Sequence, residues 1–218
     1  MTENNTCGTG GCGCSQESGV ASDEKIVAVK NAEKEINIEF LYLDLNVCEM
    51  CKGTESNLEE ALAEVSEVLK STGVKVNLQK THIETYEQAL ALDFISSPTI
   101  RINGRDAALE VKENYCSSCS DLSGTETFCR VWNFGGEEFS TVPKSLVIET
   151  ILKEIYGGKT ETAEISAERK AQSLENLKRF FAGINIQADS TKANRAAEQI
   201  NPPVQIPQTE NAASCGCS

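Results

Sequence analysis

Val47-Cys48-Glu49-Met50-Cys51-Lys52-Gly53-Thr54 places two thiols at C-x-x-C spacing where an apolar run gives way to a helical repeat. A thiolate at a helix start is favoured by the unpaired N–H groups and positive dipole end, and only the thiolate attacks a disulfide or binds a soft ion. Cys51 lies seven residues before Leu58 and so shares its core-facing side, whereas Cys48 sits at or before the cap. The expectation is an exposed, nucleophilic Cys48 and a sheltered, resolving Cys51. Glu49 opposes the Cys48 thiolate and Lys52 favours it.

The other eight cysteines are clustered as well: Cys7, Cys12 and Cys14; Cys116, Cys119 and Cys129; Cys215 and Cys217. Both ends carry Cys-Gly-Cys, at Cys12-Gly13-Cys14 and Cys215-Gly216-Cys217. Vicinal thiols one residue apart suit reduction or the clamping of a soft ion better than structural bridging. A flexible tether of roughly 30 residues spans about 30 Å, enough to bring such a pair to a central site. Cys116, Cys119 and Cys129 admit three readings. They supply three ligands of a zinc site completed by one more cysteine, form auxiliary redox thiols that exchange with Cys48 and Cys51, or are unconnected buried thiols.

Composition narrows the classes. A formal charge of −13 in 218 residues and a pI near 4.6 exclude nucleic acid and anionic membrane surfaces as partners. No apolar run approaches the roughly 18 to 20 residues needed to cross a bilayer. The polar, glycine-rich start shows no signal peptide, so a cytoplasmic location is expected, where ten thiols are catalytic or metal-binding rather than a disulfide framework.

The elements that must position the thiols follow in order. Residues 1–24 read as a flexible cysteine-rich arm and 25–158 as one domain. Ile36, Ile38 and Phe40 alternate with Leu41, Leu43 and Leu45, which predicts a central strand buried on both faces. Leu58, Leu62, Val65 and Leu69 predict an amphipathic helix of about five turns ending near Thr72-Gly73. Val74, Val76 and Leu78 predict a second strand nearer an edge, parallel to the first. Thr85 and Gln88 form a capping box for a short helix with Tyr86, Leu90 and Phe94 along one side. The single histidine, His82, precedes it as a structural residue. Thr99 to Ile102 is a short strand, and Asn103-Gly104 folds it back into 106–111.

A strand, a C-x-x-C opening a helix, a strand, a helix, then Ser97-Pro98-Thr99 entering a hairpin and a final helix resembles the thioredoxin superfamily over about residues 34–157. ISSPTIRINGR looks like the corresponding glutaredoxin-like segment. The resemblance implies an α/β, thioredoxin-like fold with a mixed central sheet flanked by helices. It also implies a cis Pro98 bordering Cys48 and Cys51 as the catalytic group. More narrowly, VCEMCKGTE, SSPTIRING and CRVW resemble an uncharacterised prokaryotic thioredoxin-like family, domain of unknown function 2703, which implies a fold and no settled activity. The chain departs from ordinary thioredoxins in a cysteine-rich insert at 112–142 and in carrying its sole tryptophan, Trp132, far along.

Within that insert, Arg130 to Phe134 and Glu137 to Thr141 predict a second hairpin that carries Trp132 and Phe134 onto the core. Pro143 starts the last helix, with Val147, Ile151 and Ile155 on one face. Within 159–185, Ser166 to Phe181 forms an additional helix that packs on the domain through Leu174, Leu177, Phe180 and Phe181. Residues 186–218 are expected as an extended or disordered tail. Two functions stand. The first is a thiol–disulfide oxidoreductase that needs no cofactor and meets a redox partner protein. The second is a binding, delivery or detoxification protein for zinc or another thiophilic metal or metalloid, in which thiolates hold the ion.

Overall fold

Ile36, Ile38 and Phe40 point to one face of β1 (Lys34–Tyr42) and are buried there, as their alternation predicts. On the opposite face Asn37 is exposed and Glu39 half-buried, and burial begins only at Leu41 and Leu43. One face of the strand is thus covered along its length and the other only at its C-terminal end. The computed structural model describes residues 34–108, 110–157 and 165–200, and side chains as far as 192. Cys7, Cys12, Cys14, Cys215 and Cys217, on which the expectations for mobile thiol-bearing ends rest, lie outside the described residues.

β1 is central in a four-stranded sheet of order β2-β1-β3-β4. β2 (Val74–His82) runs parallel to it, and β3 (Thr99–Ile102) antiparallel. α1 (Glu49–Ser71) and α4 (Lys144–Tyr156) close the first face with Leu58, Ala61, Val65, Leu69, Val147 and Ile151, all buried against Ile36, Ile38 and Phe40. Each leucine, valine, isoleucine or phenylalanine among them contributes about 1.5–3 kcal/mol by leaving water. Gly73, just beyond the α1 C-cap Thr72, has φ +71 and stops the helix. Asn103 (φ 50) and Gly104 (φ 77) both occupy the left-handed region that a two-residue hairpin turn requires.

Two elements are shorter or differently faced than their sequences suggest. β4 is only Arg105–Asp106, because the Asp106 carboxylate turns back to accept from Ala108 N and pairs with Arg130. In α2 (Tyr86–Ala91), Thr85 caps through Gln88 N as expected, but the helix ends before Phe94, and Leu90 is exposed while Ala89 is buried.

The 112–142 segment forms β5 (Lys112–Tyr115), α3 (Ser117–Ser123), β6 (Phe128–Phe134) and β7 (Glu137–Phe139), with the three strands in an antiparallel sheet of order β5-β6-β7. Trp132 is fully buried among the α1–α4 core residues, as the hairpin reading requires, whereas Phe134, expected on the core with it, is only half-buried and outside that cluster because it ends β6 at the Gly135-Gly136 turn. α5 (Ala167–Ile200) then lies against α2 and α3. Its Gly183 passes so close to α3 that an added Cβ would stand 2.2 Å from the Ser123 carbonyl oxygen. The expected helix is present but longer. It continues past Ile186, where an extended tail was expected, because no proline interrupts the chain before Pro202. The described chain is therefore a mixed α/β structure, and among its residues no helix is long and apolar enough to cross a membrane.

Candidate functional site

The path into the C-x-x-C is set by Asp44, whose Oδ1 accepts from Asn46 N (2.7 Å) and Val47 N (2.6 Å). That turn delivers Cys48 to the N-cap of α1 with an extended backbone, and its carbonyl takes the first helical bond from Lys52 N. Cys51, in the first turn, faces inward with Thr54 and Leu58 as the spacing requires. Its Sγ lies 3.4 Å from Ser97 Oγ, which also accepts from Leu43 N. The Ser97-Pro98 peptide is cis and Pro98 is buried.

Three further thiols reach the same place from the insert. Cys116 is the N-cap of α3, held by its N–H to Thr127 O and by Ser120 N and Oγ on its carbonyl. Cys119 follows one turn later. Cys129 lies on β6 opposite Asn114. Two contacts hold β6 there: Arg130 N donates to Ser97 O (2.6 Å), and Asn176 of α5 bonds both N and O of Phe128.

The result is four sulfurs, from Cys48, Cys116, Cys119 and Cys129, all within 4.8 Å of one another. Cys48 Sγ is 3.9 Å from Cys116 Sγ, and Cys129 Sγ is 3.4 Å from Cys119 Sγ. With a metal–sulfur bond of about 2.3 Å, a tetrahedral ion needs sulfurs about 3.8 Å apart, so the set fits such an ion with small side-chain adjustments. Leu41, Leu43, Phe94, Leu177, Phe180 and Phe181 surround the thiols.

Cys48 was expected to be exposed, and it is not. Its relative exposure is 0%, the same as Cys51. The reason is tertiary, because the insert brings the Cys116 thiol onto the Cys48 sulfur and α5 adds Phe180 and Phe181 to the same buried cluster. The three-cysteine metal set expected at Cys116, Cys119 and Cys129 gains Cys48 as its fourth member, while Cys51 stands beside it with Ser97. Hydrogen bonds from the Cys116 thiol, and then from Cys119, Cys129 and Cys51, push the Cys48 pKa down despite burial. Cys116 is lowered too, chiefly by Cys119. Cys51 is raised by its bond to Cys48 and by burial, and Cys119 and Cys129 are raised foremost by Cys116. Two of the thiols, Cys48 and Cys116, are thus favoured as anions and the other three are penalised, and a bound cation would favour the anion at each of its ligands.

Sequence reading missed the residues that hold this assembly. Ser97 bridges Leu43, Cys51 and Arg130. Buried Arg130 directs Nη1 and Nη2 to Asp106 (3.0 and 2.8 Å), the second as an ion pair poorly angled for a hydrogen bond, and leaves Nε unpartnered. Glu113 accepts from Ser96 and from Ser173 of α5. Only Ser173 and Asn176 carried a signal, as small polar residues set into the apolar stripe of α5. His82 is structural, with Nε2 on Leu43 O and the ring stacked on Tyr42.

A family model described as a domain of unknown function (DUF2703) matches residues 36–151, more than half of the chain. The chain belongs to the DUF2703 family. The DUF2703 match runs from β1 into α4 and contains all five cysteines among the described residues, each of them buried, whereas α5, which covers them, lies beyond it. No curated protein and no solved structure matches the chain.

Proposed function

We propose that this DUF2703 protein binds a thiophilic metal ion through the thiolates of Cys48, Cys116, Cys119 and Cys129. The observation that carries the reading is the convergence of four buried sulfurs, from α1, α3 and β6, within 4.8 Å. An apolar core needs volume and no particular element, so it gives no reason for sulfur to converge from three segments. An all-sulfur tetrahedral set suits Zn(II) and softer ions, and excludes Mg(II) and Ca(II), which take oxygen. The Cys-Gly-Cys pairs at 12–14 and 215–217 carry the same ligand chemistry in sequence and fit capture and delivery of such an ion.

A second reading, thiol–disulfide exchange by Cys48 and Cys51, is favoured by their place at the head of α1 beside a cis Ser97-Pro98 bond. The element order is compatible with a thioredoxin-like fold. This reading ranks second because a sulfur with no exposure offers nothing to a protein disulfide.

The test is zinc titration of anaerobically purified full-length protein, competed with a chromophoric chelator. Wild type is expected to hold one zinc per chain that the chelator removes slowly. Cys119→Ser combined with Cys129→Ser should lose that tight equivalent and retain only the weaker binding of the terminal cysteines. Wild type without a tight equivalent, or a double variant that keeps it, removes the metal centre.

A further inference from the structure

Cys51 is the buried thiol that the four-sulfur set leaves out. It lies three residues after Cys48, in the first turn of the helix that Cys48 caps, and both side chains belong to one buried cluster at that helix end. Cys48 is therefore shared, belonging both to the metal set and to a dithiol whose other member is no ligand.

We propose that oxidation of Cys48 to a disulfide with Cys51 withdraws one of the four ligands and releases the ion, so that the site is a redox-gated metal store. This rests on the metal-centre reading above. Burial selects the oxidant, because neither sulfur is exposed and a bulky disulfide cannot approach. Hydrogen peroxide, close to water in size, needs a far smaller opening of the covering side chains than a protein disulfide does. The Cys48 thiolate attacks one peroxide oxygen, an S–O bond forms, the O–O bond breaks, and the departing hydroxide takes a proton from solvent to become water. Cys51 then attacks the Cys48 sulfur, the S–S bond forms, the S–O bond breaks, and the second hydroxide leaves with the Cys51 proton as water. Two sulfurs lose two electrons, one peroxide gains them, and the ion is left with Cys116, Cys119 and Cys129. Ser97 Oγ, held by Leu43 N and 3.4 Å from Cys51 Sγ, keeps Cys51 turned to the site in the meantime.

The alternative within the same cluster is a Cys119–Cys129 bond, whose sulfurs are 3.4 Å apart. In the zinc-loaded protein both are occupied by the ion, whereas Cys51 is not.

The experiment loads full-length wild type and Cys51→Ser with zinc and records the stoichiometry. Hydrogen peroxide is then added while zinc release is followed with a chelating dye, and disulfides are mapped by mass spectrometry. Wild type should release its zinc together with a Cys48–Cys51 disulfide, and Cys51→Ser should release it about tenfold more slowly for want of a resolving thiol. A Cys119–Cys129 bond as the product accompanying release, or equal release from Cys51→Ser, overturns the gate alone. Mapping in wild type decides the matter even if Cys51→Ser folds poorly. Failure of wild type to take up zinc is read before any peroxide is added, and it brings down the metal centre and the gate together.

Discussion

The two faces of β1 are held by different means. On one, Ile36, Ile38 and Phe40 meet Leu58, Val65, Val147 and Ile151 from α1 and α4, an aliphatic core whose members recur at strand or helix period. On the other, Leu41 and Leu43 meet five cysteines, Phe94, Phe180 and Phe181, drawn from the head of α1, the segment after α2, the insert and α5. The first region needs only volume and apolarity. The second carries polarizable sulfur where an aliphatic core would carry carbon, and its polar frame of Ser97, Glu113 and Asn176 fixes geometry rather than filling space. One sheet thus separates an aliphatic core from a cluster lined with sulfur.

The largest effect that tests this separation is expected from Leu58→Ala, which should lower stability by about 2–5 kcal/mol in urea unfolding through the cavity it leaves. Zinc stoichiometry should be unchanged under native conditions, and loss of the tight equivalent in step with stability would show that the two faces are not separable. Gly183→Val acts on the thiol side. Its side chain meets the Ser123 carbonyl and should cost about 1–3 kcal/mol by displacing α5. Chelator should then strip zinc faster with the stoichiometry intact, and an unchanged stripping rate would show that α5 does not shield the ion.

The smallest effect belongs to Lys80, which joins β2 to α1 by pairing with Glu55 (2.7 Å) and Glu59. Lys80→Gln should cost less than about 1 kcal/mol, as half-exposed pairs do. The Lys80 pKa is raised above 10.5 by Glu55 and Glu59, so the charged form is favoured in the folded protein. The contribution is therefore present throughout the range below 10.5 and disappears as pH rises through the folded value. Wild type and variant should differ in melting temperature at pH 7 and converge in strong alkali, and a constant difference would assign the effect to packing of the lysine stem.

Much of the fold was legible because its signals are local. The helical repeat of α1, the Thr85 cap and the Asn103-Gly104 turn each depend on residues a few positions apart. β4 and the exposed Leu90 departed from expectation where a distant partner, Arg130, or an early helix end overrode the local pattern. α5 ran past Ile186 because polar helix formers without proline read equally well as tail or as helix until something is there to pack on.

The sequence alone determined that Cys48 would cap a helix and that Cys51 would face its core, since both follow from backbone period and cap position. For Cys116, Cys119 and Cys129 it left three readings open, one of them a metal set lacking one member. Only the tertiary structure decided that the missing member is Cys48, that its sulfur is covered, and that Cys51 is left beside it with Ser97. The physical reason is separation along the chain. Cys48 and Cys116 are 68 residues apart, and no periodicity or turn preference reaches that far, whereas hydrogen bonds donated by Arg130 N and Phe128 N to Ser97 and Asn176 hold β6 near the head of α1.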